Sequence, residues 1–241
     1  MAIADALELN PVDALLVFDG NREAFERVIG ITQAEEEGPI QVFISGPSGS
    51  GKTALLTARS SQKDLLSRKH VDCYHTGEFV IAVNNENIPD SFFENLGTVD
   101  ILLLDGFSEL IGADKQAELL AKLMIAECKR QKLTTIIVSQ KPLDELDISS
   151  FDGAFDDFEI YAIEPLDAPA RVEYVKKIQD MLREKDDTLP KLDDETVRYL
   201  ANDFSENLKD VRTAVRYFIN GAGYEPGTIV DLTTAKQALG R

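Results

Sequence analysis

The sequence predicts an α/β protein in which a parallel, doubly wound sheet is followed by a small helical domain. Short apolar segments alternate with helical patterns until Glu164-Pro165-Leu166, and only helical patterns follow. The runs Ile101–Leu104 and Ile136–Val138 are apolar throughout, which is typical of strands covered on both faces. We therefore expect an α/β domain over residues 1–166 and a helical domain over residues 167–241.

Five segments are predicted to be the strands of this sheet. They are Gln41–Ser45, Val71–His75, Ile101–Asp105, Thr134–Ser139 and Phe158–Ile163. All but the last precede a stretch with helical spacing or capping residues. This alternation is what a parallel sheet requires, because its strands are joined by crossover connections.

Three helices are predicted in the C-terminal part, because apolar residues recur there three and four positions apart. They cover Ala168–Arg183, Asp193–Asp203 and Leu208–Gly221, with Asp194 and Asn207 near the helix starts. We therefore expect a small helical domain after the sheet, and no repeat or low-complexity segment occurs in the sequence.

The turn after the first predicted strand carries a complete phosphate-binding motif, G-x-x-x-x-G-K-[ST], known as the P-loop. Its residues are Gly46, Pro47, Ser48, Gly49, Ser50, Gly51, Lys52 and Thr53. The glycines allow backbone N–H groups to face an anion, and the following helix directs its positive dipole end to the same place. We expect Lys52 to reach the β- and γ-phosphates of a nucleotide and Thr53 to bind Mg²⁺.

The third predicted strand, Ile101–Asp105, has the pattern of a Walker B strand. Four apolar residues end in Asp105, a carboxylate suited to the Mg²⁺ that Thr53 holds. Lys52 and Asp105 are therefore the candidate catalytic residues, and Thr53 and Asp105 are the candidate metal ligands.

Composition limits the classes of function. The 241-residue chain has 43 acidic and 25 basic side chains and a net charge of −18, which disfavours sequence-independent binding to a phosphate backbone. An acidic balance also simply favours solubility, and that reading stays open. The sequence has no long apolar run and no basic, signal-like start, so we expect a cytoplasmic protein without membrane contact.

The cysteines and histidines are not expected to form a site. Cys73 and Cys128 fall on a predicted buried strand and a helix, which suits reduced core thiols. His70 and His75 are expected to be ordinary surface or strand-end residues, because no ligand constellation surrounds them in the sequence.

Further strings occur in a fixed order along the chain. They are Leu9-Asn10-Pro11, Gly20–Phe25, Gly77-Glu78-Phe79, Val99–Asp105, Ile137-Val138-Ser139, Ile163–Asp167, Asn207–Asp210 and Leu232–Leu239. Together with the P-loop they resemble the bacterial replication initiator DnaA family and its short AAA+ relatives of the Hda type. The resemblance implies a P-loop AAA+ module, with a five-stranded parallel sheet between helices followed by an all-α lid. It also implies binding of ATP or ADP with Mg²⁺ and a regulatory role in DNA replication.

Two departures from the family pattern affect hydrolysis and assembly. Gly106 stands where the family has a second acid that orients the attacking water, and losing such a base typically slows a reaction about 10²–10⁴-fold. Glu109 is the acid that could replace it. The family's arginine finger is replaced by Ala154, between Asp152 and Asp156, so we do not expect self-assembly through an arginine finger.

Three further residues are candidates for contacting the nucleotide. Gln140 follows Ser139 where the family has an aspartate, and it can still donate a hydrogen bond. Lys209 stands where the family has a second sensor arginine, and Arg212 lies one turn further on. Lysine offers a point charge and not a bidentate fork, so the resemblance implies weakened sensing.

Three functions remain open from the sequence. The first is a regulatory or adaptor protein, hinged near Glu164–Pro169, with weak or absent ATP hydrolysis. Its expected partners are proteins such as a replication initiator, a helicase or a sliding clamp, although Ala4–Leu9 is not a convincing clamp-binding peptide. Because no DNA-binding domain follows the module before Arg241, we expect no direct sequence-specific DNA binding. The second is an active ATPase of the helicase-loader type, and the third is a nucleotide-free scaffold.

Overall fold

The fold is described from a computed structural model. The structure describes residues 15, 17–31, 38–61, 70–77, 80–81, 96, 98–112, 115–204, 208–221 and 223–240. The chain divides into two compact units. The sheet unit comprises Asp19–Pro47 and Lys52–Glu164, and the helical unit comprises Met1–Phe18, Ser48–Gly51 and Pro165–Arg241.

The sheet unit is built on five parallel strands in the order β2-β3-β4-β1-β5. They are β1 (Gln41–Ser45), β2 (Val71–His75), β3 (Ile101–Asp105), β4 (Thr134–Ser139) and β5 (Glu159–Ala162). The predicted five-stranded parallel sheet is confirmed, and only the last strand is shorter than the sequence predicts. Because the strands are parallel, their carboxyl ends share one edge of the sheet.

The structure gives the bounds of four α-helices in the sheet unit. They are α1 (Arg22–Ile29), α2 (Lys52–Ser61), α3 (Phe107–Leu110) and α4 (Lys115–Gln131). Two short 3₁₀ turns, Leu143–Glu145 and Ser149–Phe151, lie between β4 and β5. Among the described residues, no helix is both long and apolar enough to cross a membrane.

Burial follows strand position in the sheet. Every residue of β1 and β3 is buried, as expected for central strands whose faces are both covered. The edge strand β2 is only partly buried, and Cys73 on it is exposed while Cys128 is buried. The prediction of a core thiol at Cys73 was therefore wrong, because an edge strand lacks one neighbour and part of its cover.

The helical unit contains α5 (Ala168–Lys185), α6 (Asp194–Asp203), α7 (Leu208–Arg216) and α8 (Leu232–Ala238). A π-helical segment, Tyr217–Gly221, continues α7. Two short strands that the sequence pattern did not predict, β6 (Lys191–Leu192) and β7 (Ile229–Val230), pair in parallel.

Side-chain caps determine where three of these helices start. Asp167 accepts a hydrogen bond from Ala170 N at 2.8 Å, and Asp193 accepts one from Thr196 N at 2.7 Å. Asp231 does the same for Thr234 N at 2.8 Å. Each carboxylate satisfies an N–H group that has no partner within the helix. The cap of α6 is therefore Asp193, one residue before Asp194.

Phe107 is expected to be essential for the stability of the sheet unit. Its ring is fully buried and packs 6.1 Å from the Phe43 ring and 5.4 Å from the Phe155 ring, centroid to centroid. We expect Phe107→Ala to lower the free energy of unfolding by about 3–5 kcal/mol, as measured by urea denaturation. Leu119→Ala is the control, since Leu119 is 57% exposed and should change stability by less than about 0.5 kcal/mol. Similar losses in both variants would contradict the assignment.

Candidate functional site

The P-loop turns between the end of β1 and the start of α2. Gly49 and Gly51 have positive φ angles of 74° and 97°, a region that side chains with a Cβ rarely adopt. The loop is tied to the neighbouring strand by Gly46, whose N–H donates to Ser139 O at 3.2 Å. Helix α2 then begins directly at Lys52. The loop therefore has the backbone shape and the following helix that phosphate binding requires.

Lys52 is folded into this turn. Its Nζ donates to the carbonyl oxygens of Gly46 and Pro47, each at 2.7 Å. Burial lowers the pKa of Lys52 to about 8, and the negative charge of Asp105 partly opposes this shift. A buried ammonium is costly unless anions compensate it, so a nearby phosphate is expected to stabilise its charge.

Thr53 and Asp105 meet at the end of the sheet. The Thr53 hydroxyl donates to Asp105 Oδ2 at 2.7 Å, and Asp105 is buried at the end of β3. A hydroxyl and a carboxylate supply the hard oxygen ligands that Mg²⁺ prefers. No cluster of three or more His, Cys, Asp or Glu side chains able to hold a metal occurs among the described residues. The pair fits a Mg²⁺ ion that takes its remaining ligands from phosphate and water.

His75 is a neighbour of this pair that sequence reasoning missed. It ends β2 directly opposite Asp105 in the strand register, and its Nε2 lies 3.8 Å from Asp105 Oδ2. The prediction of a strand-end histidine was correct. The signal that could have found the contact was that His75 and Asp105 are the final residues of two predicted parallel strands.

Gly106 is required by the local backbone. Its φ angle is +84°, and a Cβ at this position would lie 2.8 Å from the Thr76 hydroxyl oxygen. The buried Thr76 hydroxyl donates to Gly106 O at 2.7 Å, which holds the peptide in place before α3. An acid at position 106 would therefore need both a strained backbone and a displaced threonine.

Gln140 and Glu109 are brought together next to Gly106. Gln140 Nε2 donates to Glu109 Oε1 at 3.3 Å, and Gln140 N donates to Ser108 Oγ at 3.1 Å. These bonds connect the segment after β4 to α3. Gln140 thus lies at the same edge of the sheet as Asp105, and its contact with a nucleotide remains a prediction.

The segment at the arginine-finger position packs as a structural turn. Phe155 is buried among aromatic rings, while Asp152 and Asp157 pair with lysines of α4. The Lys122 Nζ–Asp152 Oδ2 distance is 2.6 Å and the Lys129 Nζ–Asp157 Oδ2 distance is 2.9 Å. Two of the acids in this segment therefore have partners within the chain, which the sequence pattern did not show.

Lys209 and Arg212 lie on α7 of the helical unit. Lys209 is exposed and Arg212 is half-buried. Burial raises the pKa of Tyr174, and the positive charge of Arg212 partly opposes this shift. Their contact with a nucleotide remains a prediction. Asn207, Glu78-Phe79 and the strings before residue 15 lie outside the described residues.

The sheet order and the loop geometry define a P-loop AAA+ nucleotide-binding module. The model of the bacterial DnaA ATPase domain family matches residues 9–152. This protein therefore belongs to the bacterial DnaA ATPase domain family, as the sequence strings predicted.

Individual relatives agree with this assignment. The chain is 32% identical over 124 residues to the chromosomal replication initiator protein DnaA of Campylobacter jejuni strain 81-176, covering 48% of this chain and 28% of the initiator. The match thus spans little more than a quarter of that relative's length. Domain III of Thermotoga maritima DnaA shares the fold, with a TM-score of 0.80, 22% identity and 97% coverage of both chains. AMPPCP-bound DnaA from Aquifex aeolicus has a TM-score of 0.68 and 23% identity, covering 88% of this chain and 67% of that one.

Replacing Gly106 is expected to destabilise the sheet unit more than replacing an open glycine with the same backbone. Gly112 also has a positive φ angle, +75°, but a Cβ there would meet nothing within 4 Å. We expect Gly112→Ala to lower the free energy of unfolding by about 1–2 kcal/mol through its backbone alone. Gly106→Ala should lose about 1–3 kcal/mol more from the clash with Thr76. Chemical denaturation of both variants measures the difference, and equal losses would refute the steric constraint.

Proposed function

We propose that this protein is a nucleotide-binding regulator or adaptor in DNA replication. It binds ATP or ADP with Mg²⁺ in the P-loop and hydrolyses ATP weakly or not at all. The observation that carries the proposal is the 2.7 Å hydrogen bond from Thr53 to Asp105, next to the buried Lys52. Packing alone gives no reason to bring this ammonium, hydroxyl and carboxylate together under a glycine-rich turn.

Each member of this group has a distinct role in the proposed complex. Lys52 attracts the β- and γ-phosphates, while Thr53 and Asp105 hold the metal. Mg²⁺ held by these residues would neutralise part of the phosphate charge. The Aquifex aeolicus relative binds AMPPCP, which supports nucleotide binding by this protein.

Weak hydrolysis is supported by the surroundings of the phosphate site. Gly106 has no side chain to orient water, and its backbone and Thr76 oppose adding one. Gln140 contributes an uncharged amide at this edge of the sheet. Ala154 offers no guanidinium to a neighbouring subunit. Together these features favour prolonged nucleotide binding over rapid turnover, because positioning and charge stabilisation supply most catalysis of phosphoryl transfer.

The proposed partners are proteins of the replication machinery, such as an initiator, a helicase or a sliding clamp. A net charge of −18 opposes binding to the DNA backbone, and the family assignment supports a replication context. The replication context also supports a cytoplasmic location. Regulation requires that the protein has two states and that ATP and ADP differ in their preference for them. A nucleotide that binds both states with equal affinity would shift no equilibrium.

Mg-ATP binding is expected to depend on Thr53 and not on the next hydroxyl along the same helix. Isothermal titration calorimetry of the full chain should show that Thr53→Ala weakens Mg-ATP binding at least about tenfold. The reason is the loss of a metal ligand and of its hydrogen bond to Asp105. Thr57→Ala is the matched control, because the Thr57 hydroxyl donates to the backbone of Thr53 in exposed surroundings.

Thermal unfolding provides an independent readout of the same binding. Saturating Mg-ATP should stabilise the wild type by about 2.7 kcal/mol at one hundred times the dissociation constant, and chelating the Mg²⁺ should remove most of this gain. Absence of both heat and stabilisation would refute nucleotide binding and favour the scaffold alternative.

Capture of partners from the native lysate tests the regulatory role. Immobilised protein loaded with Mg-ATP or Mg-ADP should retain different amounts of its partner, because the two nucleotides favour different states. Equal capture in both states would contradict regulation by nucleotide. Fast turnover stimulated by the captured partner and abolished in Lys52→Ala would instead support the helicase-loader alternative.

A further inference from the structure

The carboxylate of Glu109 lies in the space that a side chain at position 106 would enter. A Cβ on Gly106 would be 3.5 Å from Glu109 Cδ and 3.6 Å from Glu109 Oε2. Glu109 belongs to α3, the short helix that starts immediately after Gly106. The helix therefore returns a carboxylate to the space beside the end of β3, three residues later in the chain.

Gln140 gives this carboxylate a defined position. Its side-chain amide donates to Glu109 Oε1 at 3.3 Å, while its backbone N–H donates to Ser108 Oγ at 3.1 Å. Strand pairing fixes the two segments, because Asp105 lies opposite Val138 in the β3–β4 register. The second oxygen, Oε2, is the atom of Glu109 that faces the glycines.

The space between Glu109 and the proposed metal ligand is bordered by two glycines. A Cβ on Gly77 would lie 3.9 Å from Glu109 Oε2 and 3.6 Å from His75 Nδ1. The other ring nitrogen of His75 is 3.8 Å from Asp105 Oδ2. Glu109, His75 and Asp105 thus follow one another along the same edge of the sheet, and neither Gly77 nor Gly106 places a side chain there.

Hydrolysis of a nucleoside triphosphate requires a group that orients a water molecule for attack in line with the leaving oxygen. The water oxygen forms a bond to the γ-phosphorus while the bond from that phosphorus to the β–γ bridging oxygen breaks. The water loses one proton, which a carboxylate can accept and then return to solvent. The products are ADP and inorganic phosphate.

We propose that Glu109, held by Gln140, is the carboxylate that orients this water and accepts its proton. The inference rests on the proposed nucleotide site and deepens it, by naming the residue responsible for residual hydrolysis. Glu109 is exposed, and the hydrogen bond that holds it, at 3.3 Å, is slightly longer than the common range of about 2.7–3.2 Å. A solvent-exposed base with a long hydrogen bond gives slow turnover, as expected for a protein that mainly retains its nucleotide.

Single-turnover hydrolysis of Mg-ATP by the full chain tests the role of Glu109. We expect Glu109→Gln to slow hydrolysis about 10²-fold, because the amide fits the same space but cannot accept the proton. Affinity for the non-hydrolysable probe AMPPCP, measured by calorimetry, should stay within about threefold of the wild type. Glu109→Asp, which keeps a carboxylate on a shorter side chain, should recover part of the rate.

Glu118→Gln is the matched control. Glu118 lies on α4, and its carboxylate also accepts hydrogen bonds, from Ser150 Oγ at 2.6 Å and from Gly112 N at 3.3 Å. This variant should hydrolyse ATP at the wild-type rate. Equal slowing in Glu109→Gln and Glu118→Gln would overturn the inference, because it would reveal a general effect on the fold.

The outcomes separate this inference from the proposed function. A wild-type protein that binds AMPPCP but shows no turnover, or a Glu109→Gln variant with an unchanged rate, would overturn the role of Glu109 and leave nucleotide binding intact. A wild-type protein that does not bind AMPPCP would overturn the proposed function and the inference together. Gln140→Leu should slow hydrolysis less than Glu109→Gln. A larger effect of Gln140→Leu would overturn the inference, because it would indicate that Gln140 orients the water.

Discussion

The site depends on the hydrogen bond between Thr53 and Asp105, which joins the start of α2 to the end of β3 across 2.7 Å. Parallel pairing brings the two elements together, because β1, β4 and β3 are neighbours and end at the same edge of the sheet. The P-loop is anchored to the same edge through Gly46 and Ser139. The hydroxyl, the carboxylate and the Lys52 ammonium are therefore positioned by rigid elements, as a preorganised phosphate site requires.

The segment after β3 shows how a change in backbone conformation alters the chemistry of the site. Gly106 adopts a left-handed conformation against the buried Thr76, so the chain turns at once into α3, and an acid at that point would strain the backbone and displace the threonine. The same turn brings Glu109 back towards the glycines and within reach of Gln140. The site keeps the residues proposed to bind phosphate and metal, and the carboxylate proposed to orient water belongs to the exposed Glu109 of α3.

Two of the acidic side chains form ion pairs within the sheet unit. Asp152 and Asp157 pair with Lys122 and Lys129 of α4, next to the aromatic cluster that contains Phe155. Exposed ion pairs contribute little stability individually, so the buried rings do most to hold this turn. The segment at the family's arginine-finger position is thus a packed part of the sheet unit.

The amino-acid sequence alone predicts the P-loop, the five strands, the three C-terminal helices and the candidate site residues Lys52, Thr53 and Asp105. These follow from local signals, namely residue periodicity, glycine spacing and apolar runs, which act over a few neighbouring residues. Three features become visible only in the folded chain: His75 lies beside Asp105, Cys73 lies on an exposed edge strand, and Glu109 accepts a hydrogen bond from Gln140. Those relations join residues far apart in the chain, and strand order and register, which no local pattern contains, bring them together.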